Sequence, residues 1–174
     1  MADTINGWLI FVAVCEIAPP VARFHKNIWP FMQINSGSKS TSTQIILDFF
    51  SRVWTPPHEL DAIDELMTED YVITSGGKII QGRDAFKCWV KDFQQLLLDA
   101  RTVSQEVFTN PAEDRVVSRW ICTGKNHGIF GLPPDGRSVT FTGIAIWKIR
   151  NNKLAECWVE RSAFELYQSL STNS

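Results

Sequence analysis

The sequence predicts an α+β domain in which early helices pack on one side of a curved, mostly antiparallel sheet. Three observations predict it. Apolar residues recur at helical spacing over residues 43–53, 59–67 and 84–98. From residue 102 onward the pattern changes to strand-like runs, separated by turn residues at 110–114, 124–136 and 150–153. Seven tryptophans and 44% hydrophobic residues in a chain of 174 are enough for one sizeable core.

The first helix has Thr41, Ser42 or Thr43 as its cap and Ile46, Phe49, Phe50 and Val53 as its buried stripe, and Thr55-Pro56-Pro57 ends it. The second carries Leu60, Ile63, Leu66 and Met67 on one face. A short strand at 71–74 turns at Ser75-Gly76-Gly77-Lys78 and returns through Ile79-Ile80. The third helix presents Phe86, Trp89, Val90, Phe93, Leu96 and Leu97, a wide face suited to packing across a sheet. The plain reading of these aromatics is core; the alternative is that some of them, Trp89 among them, line a ligand site. Strands are expected at 102–109, 115–123, 138–149 and 154–161, and a closing helix at 163–170.

Side chains on a strand alternate faces. Ser118, Trp120 and Cys122 therefore share one face, as do Val139, Phe141, Gly143, Ala145 and Trp147 on the next strand. On the last strand Glu156, Trp158, Glu160 and Ser162 are assigned to the same concave, helix-facing side, because the three sets together gather three tryptophans. Arg119, Lys148 and Arg161 then fall on the outer face, with Ile121, Ile144, Ile146, Cys157 and Val159. An outer face this apolar needs a cover, and a homodimer through it is the simplest one.

Several classes are excluded by the residues. A formal charge of −2 provides no basic face for nucleic acid. No glycine-rich phosphate loop and no nucleophile elbow is present. His25, His58 and His127 stand far apart, and Cys15, Cys88, Cys122 and Cys157 form no metal spacing, so neither a metal nor a cofactor is expected. Unpaired cysteines read as buried reduced thiols, which points to a cytoplasmic protein.

Residues 1–40 differ from the rest and read as an N-terminal extension to a domain at 41–174. The apolar run 7–15 is too short to span a bilayer, so no stable membrane insertion is expected. The flank at Asp3 is acidic, unlike a signal peptide, and Asn35 to Ser40 is linker-like. The extension reads as a loosely attached tail before a natural start at Met32; the alternative is a helix docked on the domain or a membrane-associating segment.

The stretch from Trp120 to Arg137, WICTGKNHGIFGLPPDGR, passes from a strand broken at Gly124 into a loop that presents His127 and Phe130 at its rim. Trp120, Gly124, His127-Gly128, Phe130-Gly131, Pro133-Pro134 and Gly136-Arg137 resemble the signature of the SnoaL-like polyketide cyclases. Gly143-Ile144, Lys153 to Trp158, Gln168 and Leu170 resemble that family's late strands and terminal helix, and the likeness runs from about Gln44 to Leu170. It implies the cone-shaped, cystatin-like barrel shared with nuclear transport factor 2-like proteins, a fold that hosts enzymes and plain binding modules alike.

The resemblance implies a cofactor-independent cyclase or isomerase acting on an apolar, oxygenated small molecule such as a polyketide or terpenoid intermediate. His127 and Glu160 are the candidate acid/base residues, Glu160 because a carboxylate among tryptophans is disfavoured as an anion. Trp120, Cys122, Phe130, Phe141, Ala145, Trp147, Trp158, Ser162, Trp89 and Thr74 are the candidate substrate contacts. The pattern also departs from the family. The usual aspartate after the loop histidine is Ala145, a later aspartate is Ser162, and an early histidine is Thr74. The alternative is a non-catalytic ligand-binding or protein-interaction module of the same fold.

Overall fold

In the computed structural model, which describes residues 41–172, the helices cover one face of a six-stranded sheet. Helix α1, Thr41–Arg52, buries Ile45, Ile46, Phe49 and Phe50 along one stripe. Ser42, one of three expected caps, instead donates its hydroxyl to the Glu113 carbonyl at 2.6 Å. Helix α2 is only Ala62–Leu66, shorter than its apolar spacing predicts, because Met67 already belongs to strand β1, Met67–Ser75, and pairs with Leu154. Strand β2, Lys78–Gln81, returns beside it, and helix α3, Arg83–Leu96, crosses the sheet with Phe86 and Val90 fully buried.

The rest is sheet: β3 Leu97–Thr109, β4 Arg115–Asn126, β5 Ser138–Arg150 and β6 Lys153–Arg161, closed by helix α4, Ala163–Ser171. The strand order is β2-β1-β6-β5-β4-β3. Only β1 and β6 run parallel; every other neighbouring pair is antiparallel. Strand β4 does not end at Gly124, as the glycine suggests. It continues to Asn126, with Gly124 paired to Val139. A Cβ at Gly124 would lie 2.8 Å from the Leu97 side chain, so this glycine serves close packing rather than a turn.

Aromatic rings join the two layers. Phe49 meets Trp147 edge-on at 5.3 Å, and Tyr71 meets Phe86 at 5.0 Å. Strands β4 and β5 keep the expected phase, with Val116 opposite Trp147, Ser118 opposite Ala145, Trp120 opposite Gly143 and Cys122 opposite Phe141, all facing the helices. Gly143 is required there. The Trp120 indole lies across it so closely that a Cβ would come within 2.2 Å of the ring.

Strand β6 reverses its expected phase, for a definable reason. Two residues, Asn151 and Asn152, both at positive φ, make the β5–β6 turn and pair Arg150 with Lys153 and Ile149 with Leu154. Continued without interruption, that register would set Trp147 opposite Glu156 and put Glu156, Trp158 and Glu160 inside. Instead the register shifts: Lys148 pairs with Glu156 and Trp147 with Cys157. Ala155 is the extra residue of a β-bulge, and one extra residue exchanges the faces of everything beyond it. Cys157, Val159 and Arg161 face the helices, and Glu156, Trp158 and Glu160 face outward.

Candidate functional site

The inner face of the sheet and helices α1 and α3 enclose a cavity of about 60 Å³ that is partly open to solvent. Trp89 and Phe93 of α3, Phe49 and Phe50 of α1, and Trp54 just beyond α1 form its helical wall. The sheet contributes Ile73 from β1, Thr102 from β3, Trp120 and Cys122 from β4, Phe141, Ala145 and Trp147 from β5, and Cys157, Val159 and Arg161 from β6. Of the predicted contact residues, Trp89, Trp120, Cys122, Phe141, Ala145 and Trp147 come together here. The others do not.

Glu160 and Trp158 stand on the outer face, opposite Ile144 and Ile146, with Trp158 43% exposed. Thr74 lies beside Trp158 on β1 and shares that outer face. Ser162 lies just past the strand, before α4, where its Oγ accepts the Thr142 amide at 3.0 Å. The bulge at Ala155 explains Glu160 and Trp158, and the parallel β1–β6 register carries Thr74 with them. Cys157, Val159 and Arg161, assigned to the outer face from sequence, are the residues that replace them in the cavity wall.

His127 and Phe130 are held away from the cavity by the loop itself. The His127 amide donates to the Leu96 carbonyl at 3.0 Å, and its Nδ1 lies 2.9 Å from the Gln95 carbonyl, so the exposed imidazole packs against the end of α3. Phe130, at φ 59°, directs its half-buried ring to Tyr167 of α4 at 6.3 Å. The loop turns around Asn126, which is 1% exposed. Its Oδ1 accepts the amides of Gly128 and Ile129 at 3.0 and 3.1 Å. Its Nδ2 donates to the Pro133 carbonyl at 3.0 Å and to Asp135 Oδ1 at 2.9 Å. The Arg137 amide and the Asn126 side chain hold the Asp135 carboxyl below the usual range, and the Arg137 guanidinium adds to this. Arg137 also donates to the Leu170 carbonyl at 2.6 Å, tying the loop to α4. Sequence reasoning missed Asn126, although a polar residue next to a histidine-glycine turn was the available signal.

Arg161 is the one charged group in the cavity wall among the described residues. One terminal nitrogen donates to Ser75 Oγ at 3.0 Å, while the guanidinium carbon sits 5.9 Å from the centre of the Trp89 ring. Its Nε is buried without a hydrogen-bond partner, and among the described residues no carboxylate lies within ion-pairing distance of it, the outward-facing Glu160 acting on it only through space. Burial lowers its pKa from the ordinary arginine value. The remaining titratable groups nearby are poor bases. Burial pushes the Cys122 and Cys157 thiols up, and it pushes the Tyr71 phenol well up. The Tyr71 hydroxyl lies against the Cys157 thiol and makes no well-formed hydrogen bond. Groups of this kind stay protonated at neutral pH. No carboxylate and no imidazole is found among the described residues of the wall.

No group of three or more histidine, cysteine, aspartate or glutamate side chains among the described residues could hold a metal ion. No described helix is long and apolar enough to cross a membrane.

Comparison with known proteins supports the same architecture. A SnoaL-like polyketide cyclase from Jannaschia sp. CCS1, itself a candidate assignment, superposes with a TM-score of 0.70 at 18% identity, covering 80% of this chain and 97% of its own. A candidate polyketide cyclase from Acidithiobacillus ferrooxidans gives 0.69 at 22% identity, covering 78% and 98%. AclR of Streptomyces galilaeus, a candidate hydroxylase, gives 0.65 at 19% identity, covering 75% and 96%. At these identities the likeness shows the fold, and the relatives' names already diverge in chemistry. No curated protein matches the sequence. The model of the SnoaL-like polyketide cyclases matches residues 44–170, the span in which the loop, the sheet and the cavity all lie. The chain belongs to the SnoaL-like polyketide cyclase family.

Proposed function

We propose that this chain captures a small, mostly apolar, oxygenated molecule in the inner-face cavity and acts as a ligand-binding member of its family. The observation that carries this reading is the composition of the wall: tryptophans and phenylalanines supply area, one arginine supplies a directed polar contact, and no acid/base pair is present among its described residues. Tryptophan fluorescence tests it, because Trp54, Trp89, Trp120 and Trp147 all border the cavity. Saturable quenching by small ring or short-chain compounds is expected, unchanged in Glu160→Gln and in His127→Ala. Absence of quenching by any of them overturns the reading.

A cyclase or isomerase activity is the second reading, favoured by the family match and by Arg161. Here the cavity would hold a substrate folded and dry, and the guanidinium would stabilise a developing enolate oxygen. Proton transfer would fall to the substrate or to water, since His127 packs on α3 and Glu160 faces outward. Under this reading Glu160→Gln retains turnover, whereas a 10²–10⁴-fold loss, about what a removed acid/base costs, would restore Glu160 as the base.

The outer face of the sheet supports a second proposal, a homodimer. Val103, Ile144, Ile146 and Trp158 are 49%, 52%, 44% and 43% exposed on that face. Large exposed apolar patches rimmed by charge mark interaction surfaces, and the Arg119–Glu106 and Lys148–Glu156 ion pairs supply the rim. Sedimentation at low micromolar concentration should give a dimer; a 19.8 kDa species alone overturns it.

A further inference from the structure

We propose that the molecule held in the cavity carries one carboxylate, and that Arg161 is the residue that receives it. This rests on the reading of the cavity as a ligand site and names the class of ligand. Arginine is always charged and offers five N–H donors in a fixed fork. Ser75 takes one of them at 3.0 Å, and the Nε donor has no partner.

An unpaired cation beside an apolar cavity is costly, and a neutral oxygen satisfies a donor without compensating the charge. A carboxylate does both, because it accepts two parallel N–H bonds from a guanidinium. The site is built to hold the fork still: Trp89 lies against its face at 5.9 Å, Ser75 holds one end, and Gly143 stands opposite in the register. A phosphate or dicarboxylate is disfavoured, since one cation leaves the second negative charge uncompensated among tryptophans and phenylalanines. The rest of the ligand is apolar and small. At about 60 Å³ the cavity is below the ~150 Å³ that an engineered protein cavity uses to hold benzene. A short aliphatic chain, or a single ring seated partly in the open mouth, suits it, and a fused multi-ring skeleton does not.

The experiment compares matched pairs on the full chain at pH 7: hexanoate against hexanamide, and phenylacetate against phenylacetamide, by calorimetry or tryptophan quenching. The carboxylates should bind at least ~10-fold tighter, in line with charge-assisted hydrogen bonding. Arg161→Met, which keeps length and apolar packing, should abolish the preference, and Arg161→Lys should keep part of it. If the amides bind as well as the acids, the carboxylate assignment is overturned while the cavity reading stands. If neither member of any pair binds, both are overturned. If the acids are preferred and Arg161→Met retains that preference, the assignment to Arg161 is overturned. The acid–amide comparison on the unmodified protein decides the first two cases even if a variant fails to fold.

Discussion

Inserting one alanine directly after Ala155 is expected to abolish stable folding or to lower stability by more than about 4 kcal/mol, a loss reserved for a few drastic mechanisms. The bulge at this residue sets the phase of everything from Glu156 to Arg161. With one residue more beyond the single-residue bulge, Glu156 would fall opposite Trp147, and Glu156 and Glu160 would be carried into the apolar interior. Cys157 and Val159, 2% and 6% exposed, would be expelled from it. The parallel pairing of Ile73 with Cys157 and Ser75 with Val159 would be lost as well. Burying two carboxylates without partners is the dominant penalty. Ala155→Gly is the control. It keeps the residue count and should cost only about 1 kcal/mol, for a lost methyl and a freer backbone. Chemical denaturation of both variants separates residue count from side chain; equal, small losses would show that the strand absorbs an extra residue without changing phase.

Replacing Asn126 by alanine should cost about 3 kcal/mol, seen as a fall of about 10 °C in melting temperature for a domain of this size. Four hydrogen bonds leave with the side chain, two of them from the amides of Gly128 and Ile129. Ile129 is 2% exposed, so its amide has little access to water as a substitute. Amide exchange at those two residues should accelerate in the variant while exchange in β4 and β5 stays slow. A loss below about 1 kcal/mol would mean that the turns at Gly128, Gly131 and Gly136 hold the loop unaided.

Much of this was legible in the chain. The α3 stripe, the Asn151-Asn152 turn and the shared face of Trp120, Phe141, Ala145 and Trp147 follow from spacing alone, because a side chain's face is fixed by period once the phase is known. The phase of β6 was not legible from alternation, since a bulge adds a residue without a composition of its own. Two clues were present. Leu154 and Ala155 are adjacent and both apolar, which a regular strand with one wet face does not need. The alternative face, Glu156-Trp158-Glu160, placed two carboxylates inside for the sake of one tryptophan. Gly124 misled for a related reason: glycine signals a turn or a close approach equally, and here Leu97 makes it the latter. His127 was drawn from a motif, and its destination is set by carbonyls of α3, 32 residues away in the case of Gln95, which spacing does not reveal. The proposed extension at residues 1–40 and the start at Met32 lie outside the described residues.

The chemistry of the cavity depends on which residues of β6 face it, and the cross-strand NOE pattern between β5 and β6 in isotope-labelled protein measures that directly. The bulged register predicts contacts of Trp147 with Cys157, Ala145 with Val159 and Gly143 with Arg161. Contacts of Trp147 with Glu156, Ala145 with Trp158 and Gly143 with Glu160 would contradict it, returning a carboxylate to the cavity and removing the arginine on which the ligand assignment rests.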